Sequence, residues 1–135
     1  LTVTQDTVID ARQSSSGCSK VTLTGVTLKM SADLVVYVDS LETVSGFKAE
    51  SGDGNPHVLR VIVPGLAPEC GSGRDVTFGN GSQLDEEIQP LLYSPSRVHL
   101  AGATALWGQI VSGCVSSDGQ TTINYLPIAL PGWGG

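Results

Sequence analysis

Short strand-like segments that end in glycine recur along this chain, and they limit its possible folds more than any other feature. The segments VTLTG, ETVSG, VTFGNG, VHLAG and VSSDG end at Gly25, Gly46, Gly81, Gly102 and Gly119. Gly46 follows Gly25 by 21 residues, Gly102 follows Gly81 by 21, and Gly119 follows Gly102 by 17. The segments YVDSLETVSG (37–46) and YSPSRVHLAG (93–102) also align without gaps. These spacings predict a structural repeat of about 20 residues.

Strand signals cover most of the chain, whereas helix signals are nearly absent. Segments rich in β-branched and aromatic residues, bounded by Gly, Pro, Asp or Asn, lie at 21–30, 33–40, 57–65, 75–81, 90–102 and 120–130. The best helix candidate, residues 81–92, is interrupted by Pro90, so we expect at most one helical turn or a loop there. The chain is therefore expected to be all-β.

The fold that best explains the repeat is a short β-solenoid, similar to a parallel β-helix, with coils near 20 residues. One coil cannot bury its inward side chains alone, but stacked coils bury them in a continuous column. Residues 94–113 are expected to form one coil, with strands at 97–101 and 105–111 and corners at Gly102 and Gly113. The side chains expected to share one inward column are Val21, Leu23, Val44, Val76, Phe78, Val98 and Leu100. An antiparallel β-sandwich remains the alternative, because it also has short strands and frequent turns.

The length of 135 residues fits one domain. Within it we expect an N-terminal strand and a flexible Ser-rich link at 1–17, stacked β coils at 18–130, and a tail at 131–135. Only 15% of residues are charged and the net charge is −6, with the seven Lys and Arg residues scattered singly. No basic stripe is present to neutralise phosphates, so nucleic acid is not an expected partner.

The three cysteines, Cys18, Cys70 and Cys114, are too far apart for a zinc motif with CxxC-like pairs. In an exported protein, one disulfide and one remaining thiol are expected, whereas three separate buried thiols are the alternative. We favour a Cys70–Cys114 disulfide, because both residues lie at turns just before corresponding strands.

No sequence motif predicts a catalytic, metal or cofactor site. Asp53 and Asn55 lie among glycines as in calcium loops, but no bidentate carboxylate completes a coordination shell. The acidic run 85–87 is expected to be a solvated loop, and His99 is expected to point away from the Val98/Leu100 face into solvent. Neither a GxSxG elbow nor a phosphate-binding loop occurs.

Residues 58–132 resemble the C-terminal β-solenoid domain of bacterial pilus-associated, minor-pilin-like exported proteins. The resemblance lies in a V-T-x-x-G strand, a Y-S-P corner, a V-x-L-x-G strand, a G-Q-[IV] strand and a final x-Y-x-P strand. The matching residues are Tyr93, Pro95, Val98, Leu100, Gly102, Gly108, Gln109, Gly113, Tyr125 and Pro127.

The resemblance implies a non-enzymatic extracellular structural or adhesion subunit of a pilus-like filament or cell surface. Family members usually carry an N-terminal membrane helix, and no such segment occurs here. We expect that this helix was removed or that a separate small helical pilin supplies it. A carbohydrate-binding module that uses Trp107, Tyr93 or Tyr125 is the alternative. A glycan-cleaving β-helix enzyme is disfavoured, because such enzymes are usually longer and align charged residues on one outer face.

The ends of a solenoid expose unpaired strand edges that recruit partners unless they are capped. The strand-like segment 1–11 and the apolar segment 126–135 are therefore expected to form subunit contacts with other copies of the chain or with pilin subunits. The residues expected at these interfaces are Leu1, Val3, Trp107 and Trp133.

Overall fold

The structure, a computed structural model, describes residues 1–65, 69–102 and 104–128. In these residues, all regular elements are β-strands except α1 (Gln13–Ser16), a single turn of helix. The strands are β1 (Thr2–Val3), β2 (Thr7–Asp10), β3 (Val21–Thr24), β4 (Thr27–Met30), β5 (Leu34–Tyr37), β6 (Leu41–Val44), β7 (Lys48–Ser51), β8 (His57–Ile62), β9 (Val76–Phe78), β10 (Gln83–Leu84), β11 (Ile88–Leu100), β12 (Ala105–Ser117) and β13 (Thr122–Tyr125). The predicted all-β class is confirmed.

The strands form curled parallel sheets that the chain visits in a repeating order. The first sheet has the order β1-β4-β7-β10. A larger curled sheet has the order β2-β5-β8-β11-β9-β6-β3, in which the long strand β11 joins two halves. We call the half β2-β5-β8-β11 the second sheet and the half β3-β6-β9-β11 the third sheet. β12 pairs with β11 along both of these sheets, and its first residues pair with β13. The chain passes through the three sheets repeatedly. We call the set of strands from one such passage a layer.

Every strand pair that the structure describes is parallel. The strands β1 to β10 pair with the equivalent strands of adjacent layers rather than with their neighbours in sequence, whereas the long strand β12 pairs in parallel with its sequence neighbours β11 and β13. An antiparallel sandwich would instead pair consecutive strands antiparallel. The interval between paired residues varies, from Ala105↔Thr122 to Leu41↔Val76. The repeat is thus less regular than the predicted 20 residues, because long corners interrupt some layers.

The core lies between the sheets and consists of columns of apolar side chains. One column contains Val21, Leu41, Val76, Val98 and Val115, which are opposite one another in register on the third sheet. A second column on the second sheet contains Ile9, Val36, Val61, Leu92 and Ile110. Phe47 and Phe78 pack against each other across the core, with ring centroids 6.1 Å apart. Stacking thus buries apolar area that a single layer would leave in water.

The prediction that Val44 points inward is wrong, whereas Val76, Phe78, Val98 and Leu100 are fully buried as predicted. Leu23 pairs with Thr43 rather than Val44, so Thr43 occupies the inward position and is 0% exposed. The corner after β6 contains one residue more than the corner after β3. The closing glycine of β6 therefore lies one residue further from the end of its strand, so counting back from the glycine selects the wrong residue as the inward one. A shift of one residue moves every side chain of a strand to the opposite face.

The glycines of the repeat lie one above another at a corner of the stack. Gly25, Gly46, Gly81 and Gly102 have φ between 63° and 85°, a conformation that side-chain-bearing residues rarely adopt. A Cβ on Gly46 would lie 3.3 Å from the Cα of Gly25, and a Cβ on Gly119 would lie 2.5 Å from the carbonyl oxygen of Gly102. Glycine therefore permits both the turn and the close approach of successive layers.

Three local expectations need correction. The strand β12 continues through Gly113, where we expected a corner. Only the pairing register between β12 and β11 shifts near this point, between Ser94 and Arg97 of β11. Residues 81–92 form β10 and the start of β11 rather than a helical turn, and Pro90 lies within β11. The strand β7 (Lys48–Ser51) was not predicted, because its sequence KAES has little β-propensity and owes its conformation to pairing with β4.

Candidate functional site

A row of polar side chains crosses the outer face of the third sheet. Thr22, Glu42, Thr77, His99 and Ser116 are opposite one another in register, one from each successive strand. They alternate with the inward column of Val21, Leu41, Val76, Val98 and Val115, which fixes them on the outside. The row borders a shallow groove of about 360 Å³ lined by Lys20, Ser40, Leu41, Glu42, Gly73, Asp75, Thr77, Arg97 and His99.

His99 contacts Ser116 of this row and the carboxylate of Asp118 beside it. Its Nδ1 lies 2.7 Å from the hydroxyl of Ser116, and its Nε2 lies 3.6 Å from a carboxylate oxygen of Asp118. The other carboxylate oxygen of Asp118 accepts a hydrogen bond from the backbone N–H of Gly102. His99 points outward as predicted, but these contacts leave its side chain only 23% exposed rather than solvated.

Ser116, His99 and Asp118 have the residue types of a hydrolytic triad but not its environment. The Asp118 side chain is 65% exposed, so solvent weakens its interaction with the imidazole. In a triad the carboxylate is buried and holds the imidazole in one orientation. This arrangement is better suited to hydrogen-bond a polar ligand or to stabilise the outer surface than to activate a nucleophile.

The charged residues of the groove are paired with one another. Arg97 donates to Asp75 at 2.9 Å, and Asp75 also accepts a hydrogen bond from the hydroxyl of Ser96 at 2.7 Å. Lys20 forms an ion pair with Glu42 at 2.5 Å. A ligand in this groove would meet balanced charge and several hydroxyl groups rather than a surface of one sign.

A disulfide between Cys70 and Cys114 fastens one corner of the stack, as predicted, with the two Cα atoms 5.8 Å apart. We call residues 69–75, which carry Cys70 from the corner after β8 to the start of β9, the strap. The N–H of Ser72 donates to the hydroxyl of Ser96, and the hydroxyl of Ser94 donates to the carbonyl of Arg74. Because Ser94 and Ser96 lie on β11 and Cys114 on β12, the strap connects its own layer to the next two.

Cys18 is exposed near α1 and is not part of this disulfide. The disulfide fits an oxidising environment. Among residues 1–65, 69–102 and 104–128, no helix has the length and apolarity to cross a membrane.

The loop that resembles a calcium site is organised by its own hydrogen bonds. One oxygen of Asp53 accepts from His57 Nε2 at 2.8 Å, from the N–H of Asn55 at 3.0 Å and from the hydroxyl of Ser51 at 3.1 Å. These hydrogen bonds lower the pKa of Asp53 well below its usual range, and the bond with His57 has the largest effect. In the described part of the chain, no group of three or more His, Cys, Asp or Glu side chains is arranged to hold a metal ion.

The two ends of the stack carry all the exposed large apolar side chains found among the described residues. Leu1 and Val8 are 67% and 66% exposed at the first layer, and Val115, Ile123 and Tyr125 are 51%, 45% and 67% exposed at the last. An apolar cavity of about 140 Å³ extends inward from the first layer and is lined by Leu1, Ile9, Ala11, Val21, Leu23, Leu34, Val36, Leu41, Phe47, Leu59, Val61 and Phe78. The ends are therefore a second candidate surface.

The residues predicted for interfaces and sugar binding have different locations. Leu1 lies at the first end, but Val3 is buried against the core. Trp107 is half-buried and pairs with Asn124, whereas Tyr125 is opposite Gly108 and so points to the other face of the sheet. Tyr93 lies on the second sheet, opposite Ile62 and Val111. Trp133 lies outside the described residues.

The sequence alone did not predict all of the apolar residues that are exposed at the two ends of the stack. Val115, Ile123 and Tyr125 alternate with polar neighbours as an inward row does, but nothing in the sequence shows that no further layer covers them. Comparison of the chain with models of known protein families, with curated proteins and with solved structures finds no match in any of the three.

Proposed function

We propose that the chain is a short parallel β-solenoid that serves as a non-enzymatic, extracellular structural or adhesion subunit of a pilus-like filament or cell surface. In this proposal each layer is one coil. The observation that carries it is the parallel stack with a disulfide across its layers and apolar side chains exposed at both ends. Such a stack supplies a stiff body with edges for assembly.

The resemblance of residues 58–132 to minor-pilin-like exported domains supports the same location. The Cys70–Cys114 disulfide supports it independently, because disulfides persist in oxidising compartments. The proposed partners are pilin subunits, including a separate small helical pilin, and other copies of the chain.

Immunogold electron microscopy of the source cells tests this proposal. An antibody against the folded chain is expected to label filaments or the cell surface, and labelling should disappear in cells from which the coding sequence is deleted. Labelling confined to the cell interior would contradict the proposal.

The groove on the third sheet favours carbohydrate binding as the second candidate function. Its paired charges, the imidazole of His99 and the hydroxyl of Thr77 offer donors and acceptors that sugar hydroxyls could use. The aromatic residues Tyr93, Trp107 and Tyr125 do not form a common platform there, which weakens the version of this hypothesis that depends on stacking.

A glycan array probed with the chain and with its His99→Ala variant tests this candidate. Binding that the variant loses at unchanged thermal stability would favour the groove as a sugar site. Absence of binding to any glycan by the intact chain would leave the structural role as the better explanation.

A further inference from the structure

We propose that the apolar cavity at the first layer is a binding site for a compact apolar molecule of about the size of one benzene ring. This inference goes beyond the proposed function, because it assigns a ligand to the interior of the stack rather than a role to its outer surface. Four features carry it: the volume of the cavity, the chemistry of its walls, its opening to solvent and the small residue that leaves it unfilled.

The volume of the cavity, about 140 Å³, is large enough for a ligand. Protein interiors are close-packed and contain few voids larger than a water molecule. An engineered apolar cavity of about 150 Å³, lined by Leu, Ile and Phe, binds benzene or xenon. The cavity in this chain has a similar volume and a similar lining, so a ligand of the same size fits.

The walls of the cavity offer nothing that holds water. All twelve lining residues are apolar, and no polar atom of the described residues faces the space. Thr43, which occupies an inward position of the second layer, is not among them, and its hydroxyl is hydrogen-bonded to Ser82. A buried water needs about two to four polar partners. An apolar occupant is therefore favoured, because it supplies the dispersion contacts that an empty cavity lacks.

The cavity opens to solvent at the first layer and is closed at its inner end. Leu59, Val61 and Phe78 of the third layer line the inner end and are at most 3% exposed. The side chains of the first layer that point inward and line the cavity are only partly buried: Ile9, Ala11, Val21 and Leu23. A small molecule can thus enter without unfolding of the strands.

A small residue in the first layer leaves this space unfilled. The N–H of Ala11 donates to the carbonyl of Tyr37 in the next layer. The N–H groups of Val38 and Val63 make the equivalent bonds from the second and third layers, so the three residues occupy the same position in successive layers. Val38 and Val63 are fully buried, whereas the first layer has alanine there. The methyl groups that Ala11 lacks would otherwise occupy part of the cavity.

The depth of the cavity favours a small molecule over a protein surface as its occupant. The cavity extends from the first layer to the third, which is about 9–10 Å at the spacing of parallel strands. A flat surface laid over the mouth would leave the inner part empty. A ligand with one polar substituent would bind with that substituent at the mouth, because burial of an unpaired polar group is costly.

An NMR titration of the chain with benzene, followed through resolved methyl signals, tests this site. We expect saturable shifts of the methyl signals of Leu34, Leu59 and Val61, since the aromatic ring would lie beside them. The methyl signals of Val115 and Ile123, which are exposed at the other end of the stack, should not shift. This contrast separates binding in the cavity from adsorption to exposed apolar side chains.

The variant Ala11→Leu fills the cavity from its wall. We expect it to bind benzene about tenfold more weakly or not at all, with a thermal midpoint equal to or above that of the wild type, because filling a cavity stabilises a fold. Val8→Leu, on the outer face of the same strand, is the matched control and should keep the wild-type affinity. If Ala11→Leu does not fold, Ala11→Val makes the same test with the residue that the deeper layers already contain.

The inference is wrong if the shifts increase linearly with benzene up to its solubility limit, or if Val115 and Ile123 respond as strongly as the cavity. It is also wrong if a folded Ala11 variant binds benzene like the wild type. If the chain self-associates in sedimentation velocity and Ala11→Leu abolishes the association, a second copy covers the mouth and the small-molecule site is rejected.

The site and the proposed function can fail separately. Absence of saturable binding together with surface immunogold labelling would reject the site and keep the proposed function. Saturable binding combined with labelling of the cell interior would do the reverse.

Discussion

At the scale of the single residue, the pair of buried hydroxyls formed by Thr43 and Ser82 is the clearest polar feature of the core. Their oxygens lie 2.6 Å apart, and both residues are buried. Thr43 occupies an inward position between Leu23 and Phe78, where the apolar pattern would otherwise place a hydrocarbon side chain. The two hydroxyls thus share a hydrogen bond, and the Thr43 hydroxyl oxygen also accepts one from the N–H of Gly79 at 3.2 Å.

We predict that Thr43→Val destabilises the fold by about 1–3 kcal/mol, because it leaves the hydroxyl of Ser82 buried without this partner. The double variant Thr43→Val with Ser82→Ala should recover most of the loss, since both polar groups are then removed. Urea unfolding of the wild type, both single variants and the double variant measures this coupling. If the destabilisation of the double variant equals the sum of the two single effects, this explanation is wrong.

The lowered pKa of Asp53 predicts that the stability of the fold depends on pH. Because hydrogen bonds lower its pKa in the folded state, the carboxylate stabilises the fold above the unfolded pKa of about 4. That contribution is lost as the pH falls from about 4 through the lower folded pKa. We expect Asp53→Asn to reduce the loss of stability between about pH 5 and pH 3, as measured by urea midpoints. Glu86→Gln, in the turn before β11, is the matched control and should keep the wild-type profile.

At the scale of elements, the strap links layers that the sheets already hold side by side. Its disulfide closes a loop with a sequence separation of 44 residues. In the chain-entropy account, such a crosslink stabilises the folded state by about 4 kcal/mol, chiefly by restricting the unfolded chain.

We therefore predict that the double variant Cys70→Ala with Cys114→Ala lowers the thermal midpoint substantially. Reductant should lower the midpoint of the wild type to a similar value and leave the double variant unchanged. Cys18→Ser, which keeps the disulfide, is the control and should retain both the stability and the sensitivity to reductant. A wild type insensitive to reductant in differential scanning calorimetry would contradict the prediction.

The sequence could predict the elements whose own residues encode them. Alternating runs such as Val98–Leu100 and the glycine-closed corners predict strands and turns. The Cys70–Cys114 disulfide was also predicted, although Cys114 lies within β12 rather than at a turn before a strand. Segments with weak local signals could not be predicted. β7 becomes a strand through its neighbours, and the one-residue shift at Val44 depends on the length of a corner.

The candidate surfaces were less predictable than the fold. His99 was expected on the outer face, but its contacts with Ser116 and Asp118 depend on the register between β11 and β12. The exposed ends depend on where stacking stops. A residue such as Val115 has the pattern of a core residue, and only the position of the last layer leaves it in water.

At the scale of the whole molecule, the net charge of −6 opposes association of copies. If copies of the chain associate through their exposed apolar ends, we expect association to strengthen with salt, because the screening length falls from about 30 Å at 0.01 M to about 3 Å at 1 M. Sedimentation velocity across this range measures the effect. Dissociation at high salt would show that attraction between charges, rather than apolar contact, holds the copies together.

The strap has a mechanical consequence. A pulling force applied at the two termini can extend residues 1–69 and 115–135, but the covalent crosslink shields the segment between Cys70 and Cys114 from tension. That segment hides about 150 Å of contour length, at about 3.4 Å per residue. In single-molecule pulling, the added extension should appear only under reducing conditions. A chain built this way can yield at residues 1–69 under load while the segment between Cys70 and Cys114 keeps its contour length hidden.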